Sequence, residues 1–318
     1  MDFVQLPDAQ TFRLTNISVP GHLLGRSESL VRTSLTLAGD TIVADDPDAT
    51  MQQDMAGAIV FPCFVDMHTH LDKAQIWART PNPDGSFEGA LHAVNSDKPG
   101  RWDRADLMPR MSFALRSAFA HGTRFIRTHL DYFGDLGDAE QSWPVFAELQ
   151  ENWSGRIDLQ AAVLTGCDLG AEPAAVARCA DLVAAYGGIL GTVTYNEPGV
   201  RDWVRAFFEA AMARDLPLDF HVDETLDPAS NTLRTVAELA LETGFGRKIT
   251  VGHLCSLSTM PEKDALVASN LTAVETRANG GIDLYNQIHQ EKMGVYFLGW
   301  FDSNVSYNLW FVNEPQLH

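Results

Sequence analysis

The chain has 318 residues, 45% of them hydrophobic, and a formal net charge of −19. That length buries a sizeable core, either as one large α/β domain or as a barrel with a small satellite. The acidity argues against a nucleic-acid or anionic-membrane partner, since both are polyanions, and no stretch approaches the roughly 18 uninterrupted apolar residues of a membrane helix.

Residues 1–60 read as short strands. The segments TFRLTNISV, SLVRTSLTLA and DTIVADD carry β-branched residues between Gly, Ser and Asp turns, and they are expected to form a small N-terminal β-sandwich. From Ile59 the pattern changes to strand–helix alternation, with strands expected at residues 59–67, 124–130, 157–164, 189–195, 217–223 and 248–254. Ala- and Leu-rich stretches such as AEPAAVARCADLVAAYG lie between most of them. Apolar strands alternating with helices imply a parallel sheet covered by helices. The expected fold is an α/β, TIM-like barrel over residues 61–265, either incomplete or closed by compressed last units. A doubly wound sheet is the alternative, although no Gly-rich dinucleotide fingerprint follows any strand. Residues 266–318 are expected to be an atypical tail or compressed last barrel units. Six asparagines there, Asn270 to Asn313, equal the number in the preceding 265 residues.

The N-terminus MDFVQLPDAQ lacks a basic segment followed by an apolar run. Cys63, Cys167, Cys179 and Cys255 form no CxxC pair. A cytoplasmic protein with buried thiols is therefore expected rather than a disulfide framework.

Chemistry collects at the C-terminal ends of the expected strands, where a barrel builds its active site from converging loops. His68 and His70 follow the first barrel strand in DMHTHLDK, His221 and Glu224 end the fifth in HVDE, and His253 ends the sixth in GHLCSLS. Residues two apart on a strand share a face, so His68 and His70 can reach one ion. A lone strand-end histidine is more often structural. Several delivered to one rim together point to a metal site. Lys73 is expected to pair with a carboxylate near that rim, His129 and Asp131 to make structural hydrogen bonds, and Phe87 and Glu88 to lie in a loop covering the pocket.

The segments FPCFVDMHTHLDK, FIRTHLD, IDLQ, HVDE and GHLCSLS occur in this order, and over residues 1 to about 262 the chain resembles the cytosine deaminase branch of the metal-dependent amidohydrolase superfamily. The resemblance implies a hydrolase acting on carbon–nitrogen bonds of small cyclic amidines or amides. It implies one divalent metal ion, iron or zinc, held by His68, His70 and His221, ligands that suit either metal. A strand-eight Asp would complete the set, and Asp302 in FDSNV is the residue available. Glu224 would relay a proton from the attacking water to the ring nitrogen and then the leaving amine. His253 would stabilise charge at the tetrahedral centre.

Two departures stand out. Cytosine deaminases carry a Gln after strand three that bonds the pyrimidine edge, and that substrate-binding position falls at Gly166. Loss of a polar side chain there weakens the expectation of cytosine itself. The short spacing from Gly281 to Gly294 leaves scant room for a strand and its crossover helix, so a truncated, non-catalytic remnant is an alternative. A binuclear hydrolase of the dihydroorotase or hydantoinase kind is another, but its bridging lysine has no counterpart in ILGTVTYNEP. The His/Cys/Cys nucleobase deaminases need HxE and PCxxC, and neither pattern is present. Self-association is compatible with the sequence.

Overall fold

The computed structural model describes residues 9–39, 41–82, 84–132 and 136–261. The chain divides into two compact units between Cys63 and Phe64.

The first unit holds one four-stranded sheet: β1 (Thr11–Pro20), β2 (Leu30–Ala38), β3 (Thr41–Val43) and β4 (Gln52–Asp54), in the order β3-β2-β1-β4. Its core is written into β1. Phe12 and Leu14 are buried on one phase of the strand, and Ile17 and Val19 on the other. A strict period of two would put these pairs on opposite faces. The pairing of β1 with β2 shifts between Leu14 and Ile17, and Asn16 lies there in the left-handed region at φ 53°. The extra residue of this bulge returns both pairs to one face, where Leu35, Leu37, Met55 and Val60 pack against them.

The second unit alternates strand and helix: β5 (Phe64–Thr69), α1 (Phe87–Asp97), α2 (Arg104–Ala120), β6 (Thr123–Asp131), α3 (Leu136–Asn152), β7 (Asp158–Leu164), α4 (Pro173–Ala185), β8 (Leu190–Val193), α5 (Val200–Met212), β9 (Leu218–Val222), α6 (Thr232–Thr243) and β10 (Ile249–His253). Strands β5-β6-β7 form one parallel sheet and β8-β9-β10 another. Parallel bridges Ala162↔Ile189 and Gly166↔Val193 join β7 to β8. All six strands thus run parallel in chain order, and their C-terminal ends share one rim. β8 is squeezed between its neighbours: a Cβ on Gly191 would lie 2.4 Å from the Val163 carbonyl oxygen and 2.7 Å from that of Asp219. Only glycine fits there.

The first strand of the second unit starts at Phe64 rather than at the expected Ile59. Ile59 bridges Ser18 of the first unit, and the Val60 N–H donates to the Ser18 carbonyl at 2.9 Å. Pro62 then interrupts the run, having no N–H to give a ladder. The helices bury apolar stripes at helical spacing, as in α5, where Val204, Phe207, Phe208 and Ala211 are fully buried. Phe208 stacks on Phe220 of β9 at 5.8 Å between ring centroids.

A candidate metal centre

β5 carries His68 and is followed directly by His70. β6 contributes His129, β9 His221, and β10 ends in His253. The rings close up on one another. His68 lies 4.4 Å from His129, 4.5 Å from His221, 4.8 Å from His253 and 5.4 Å from His70, centroid to centroid. One ring nitrogen from each of His68, His70, His129 and His221 falls within 4.8 Å of the others.

The electrostatics favour neutral rings. Burial first, then the neighbouring imidazoles, pushes His68 down to about 3 and His253 to about 4. Burial likewise holds His70 and His221 well below the ordinary histidine value. A neutral imidazole keeps a lone pair for a metal. Both ring nitrogens of His221, and Nδ1 of His70 and of His129, are buried with no hydrogen-bond partner among the described residues. Buried polar atoms are seldom left so. These unsatisfied nitrogens fit a bound cation.

Glu224 is half-buried, and burial raises its carboxyl while the Lys73 ammonium works against the rise. Its Oε1 lies 3.4 Å from His253 Nδ1. His253 itself adopts the left-handed region at φ 69°, a strained conformation for a non-glycine residue. Gly166 sits just past β7 on the same rim, bridged to Val193, which in turn pairs with His221. Asp302 lies outside the described residues. The structure therefore brings His68, His70, His221, Glu224, His253 and Gly166 to one rim.

Sequence reasoning assigned His129 a structural bond, and that bond exists: Nε2 lies 3.1 Å from Asp219 Oδ1. Its place in the imidazole cluster was missed. The signal was in RTHLD, where Arg127, His129 and Asp131 alternate onto one face of β6. Arg127 also binds Asp219, at 2.8 Å. Burial works to raise the Asp219 carboxyl, but His129 and Arg127 outweigh it and hold it well below the usual range. Lys73 pairs with Asp131 at 2.9 Å, as its motif suggested, and Lys98 pairs with the same carboxylate. Phe87 and Glu88 need correcting. They open helix α1 rather than lying in a loop, because Ser86 caps it by accepting the Gly89 N–H at 2.9 Å.

No family model matches the chain. A pterin deaminase of Rhizobium rhizogenes is 40% identical over 282 residues, 85% of this chain and 64% of that protein. By this match the chain is similar to the deaminase branch of the metal-dependent amidohydrolase superfamily. It spans slightly less than two thirds of that relative's length. The same fold is seen in solved structures. A 5-methylcytosine deaminase from Klebsiella pneumoniae superposes with a TM-score of 0.62 at 20% identity, covering 84% of this chain and 64% of that one. An N-isopropylammelide isopropylaminohydrolase from Burkholderia multivorans gives 0.61 at 23%, covering 86% and 68%. No helix among the described residues is long and apolar enough to cross a membrane.

Proposed function

We propose that the protein is a metal-dependent hydrolase that deaminates small cyclic amidines, a pterin-like aminated ring being the first to test. The observation that carries this reading is the set of buried, unpartnered imidazole nitrogens beside a half-buried carboxylate. The name of the 40%-identical relative supports the substrate class. His68, His70 and His221 would hold one divalent ion, iron or zinc, with Asp302 as a further ligand. When bound, the ion would lower the pKa of water from about 15.7 to about 7. Glu224 accepts a proton from the attacking water and delivers it to the ring nitrogen, then takes the remaining hydroxyl proton and passes it to the departing amine. Burial raises its proton affinity, which suits a group that must both take and give a proton. His253, beside Glu224, steadies the charge that develops as the trigonal carbon becomes tetrahedral. Ammonia leaves and a ring carbonyl remains.

The wider assignment belongs to the same reading. Residues 61–265 would form the catalytic barrel, residues 1–60 an N-terminal sandwich, and residues 266–318 the closing or atypical tail. The substrate would be a free small molecule in the cytoplasm, with neither nucleic acid nor membrane as partner.

Ammonia release tests this directly. The purified 318-residue chain is offered pterin, cytosine and aminotriazines with iron, zinc and manganese supplied separately, and bound metal is quantified. We expect about one equivalent of metal and turnover of at least about 1 s⁻¹ on one ring class. Full metal loading with no ammonia from any ring would overturn it in favour of a non-catalytic remnant.

A further inference from the structure

Gly166 removes a side chain from the rim, yet the space beside it is not vacant. A Cβ built there would lie 2.3 Å from Oδ1 of Asp168 and 4.0 Å from Cε2 of Tyr195. The turn Cys167–Ala171 folds the Asp168 carboxylate back over the Gly166 backbone. No larger residue at 166 is compatible with that arrangement. Asp168 is exposed, and Tyr195 is 45% exposed. Their link to the imidazole centre runs through β8 and β9: Gly166 bridges Val193, Val193 pairs with His221, and Tyr195 follows Val193 by two residues. Burial raises the Tyr195 phenol, and the charges of Asp168 and Glu224 both add to the rise.

We propose that Asp168 is the specificity-determining group of this site, standing where a side chain at 166 would stand and accepting a hydrogen bond from a ring N–H of the substrate. The inference rests on the ring-deaminating reading above and narrows its substrate class. An ionised carboxylate only accepts hydrogen bonds, whereas a carboxamide both donates and accepts. Beside its amino-bearing carbon cytosine offers the lone pair of a ring nitrogen that carries no hydrogen, and that edge meets repulsion from Asp168. A lactam N–H meets a charge-assisted acceptor. Aminopyrimidinones with a ring N–H beside the amino-bearing carbon, such as 2-amino-4-oxopteridines, are the class selected.

Calorimetric binding in a Glu224→Gln background, where turnover is slowed, tests this with pterin, 3-methylpterin and cytosine. Asp168→Ala and the isosteric Asp168→Asn should each weaken pterin roughly ten- to hundredfold. 3-Methylpterin, lacking the N–H, should bind the parent weakly and be indifferent to both substitutions. Asp168→Asn should also shift the cytosine-to-pterin ratio toward cytosine, which a merely structural role would not do. Pterin affinity unchanged in both variants, 3-methylpterin binding as tightly as pterin, or no binding of pterin to the parent would each overturn the proposal. The wild-type protein separates the two readings. Ammonia release with Asp168-independent binding rejects only this inference, and Asp168-dependent binding without ammonia release rejects only the deaminase reading.

Discussion

At the end of β9, two side chains two residues apart have opposite surroundings. The Asp223 carboxylate is saturated: it accepts from Ser230 Oγ at 2.7 Å, from Thr232 N and Oγ1 at 2.8 Å each, and from Leu233 N at 3.1 Å. His221, equally buried, has no partner for either ring nitrogen among the described residues. The fold evidently can satisfy a buried polar group at this point on the rim, and it does so for one of the two. Asp223 ties the β9 loop to the start of α6, replacing a side-chain cap that Asn231 does not make. His221 is held in place by packing and left open. A saturated group belongs to the scaffold, and an unsatisfied one of the same burial is reserved for something that binds.

The sharpest way to break this contrast is to remove each member. Asp223→Ala strips acceptors from buried donors at the α6 N-terminus and should cost about 3 kcal/mol or more of stability. Chemical denaturation would measure it, and a loss under about 1 kcal/mol would show that the network is not structural. His221→Ala, by contrast, should leave the metal-free protein close to wild-type stability. It should lower metal affinity more than about a hundredfold, since even outer-shell partners account for ten- to hundredfold losses. Titration with zinc or cobalt reads this. Unchanged affinity would remove His221 from the ligand set.

How much of this contrast was visible in the sequence depends on whether the signal was local. His68, His70, His221 and His253 were legible because each closes an apolar strand, and strand ends of parallel units share a rim. The six parallel strands were legible for the same reason, as apolar runs between helical stretches. What the sequence hid was long-range. Nothing near Asp219 announces that it binds Arg127 and His129 on β6. Nothing near Asp168 announces that it occupies the space beside Gly166, because a three-residue stretch of Gly, Cys and Asp reads only as a turn. The start of β5 was misplaced because Ile59 and Val60 look like barrel residues, whereas their partner is Ser18. The start of α1 was missed because FEGA was read as part of a loop, though Ser86 with Gly89 three residues on is a capping arrangement.

The smallest expected effect concerns pH. His68 is held at about 3 and His253 at about 4, against 6.5 for an unperturbed histidine. Below pH 6.5 the unfolded chain takes up protons at these positions while the folded protein refuses them. Stability therefore rises with pH through this range. The histidines' contribution is complete above the unfolded value near 6.5 and is lost progressively as pH falls toward 4 and then 3. From pH 7 to 5.5 the loss should be roughly 1 kcal/mol for each of the two. Urea unfolding of the metal-free protein at both values measures the sum, and His68→Gln, which removes one titration, should flatten the dependence. Bound metal should delay the loss, because protons must then compete with the ion for the same lone pairs. A metal-free protein equally stable at both pH values would mean that these rings can be protonated without cost. They would then be solvated surface groups rather than the dry cluster that sets His221 apart from Asp223.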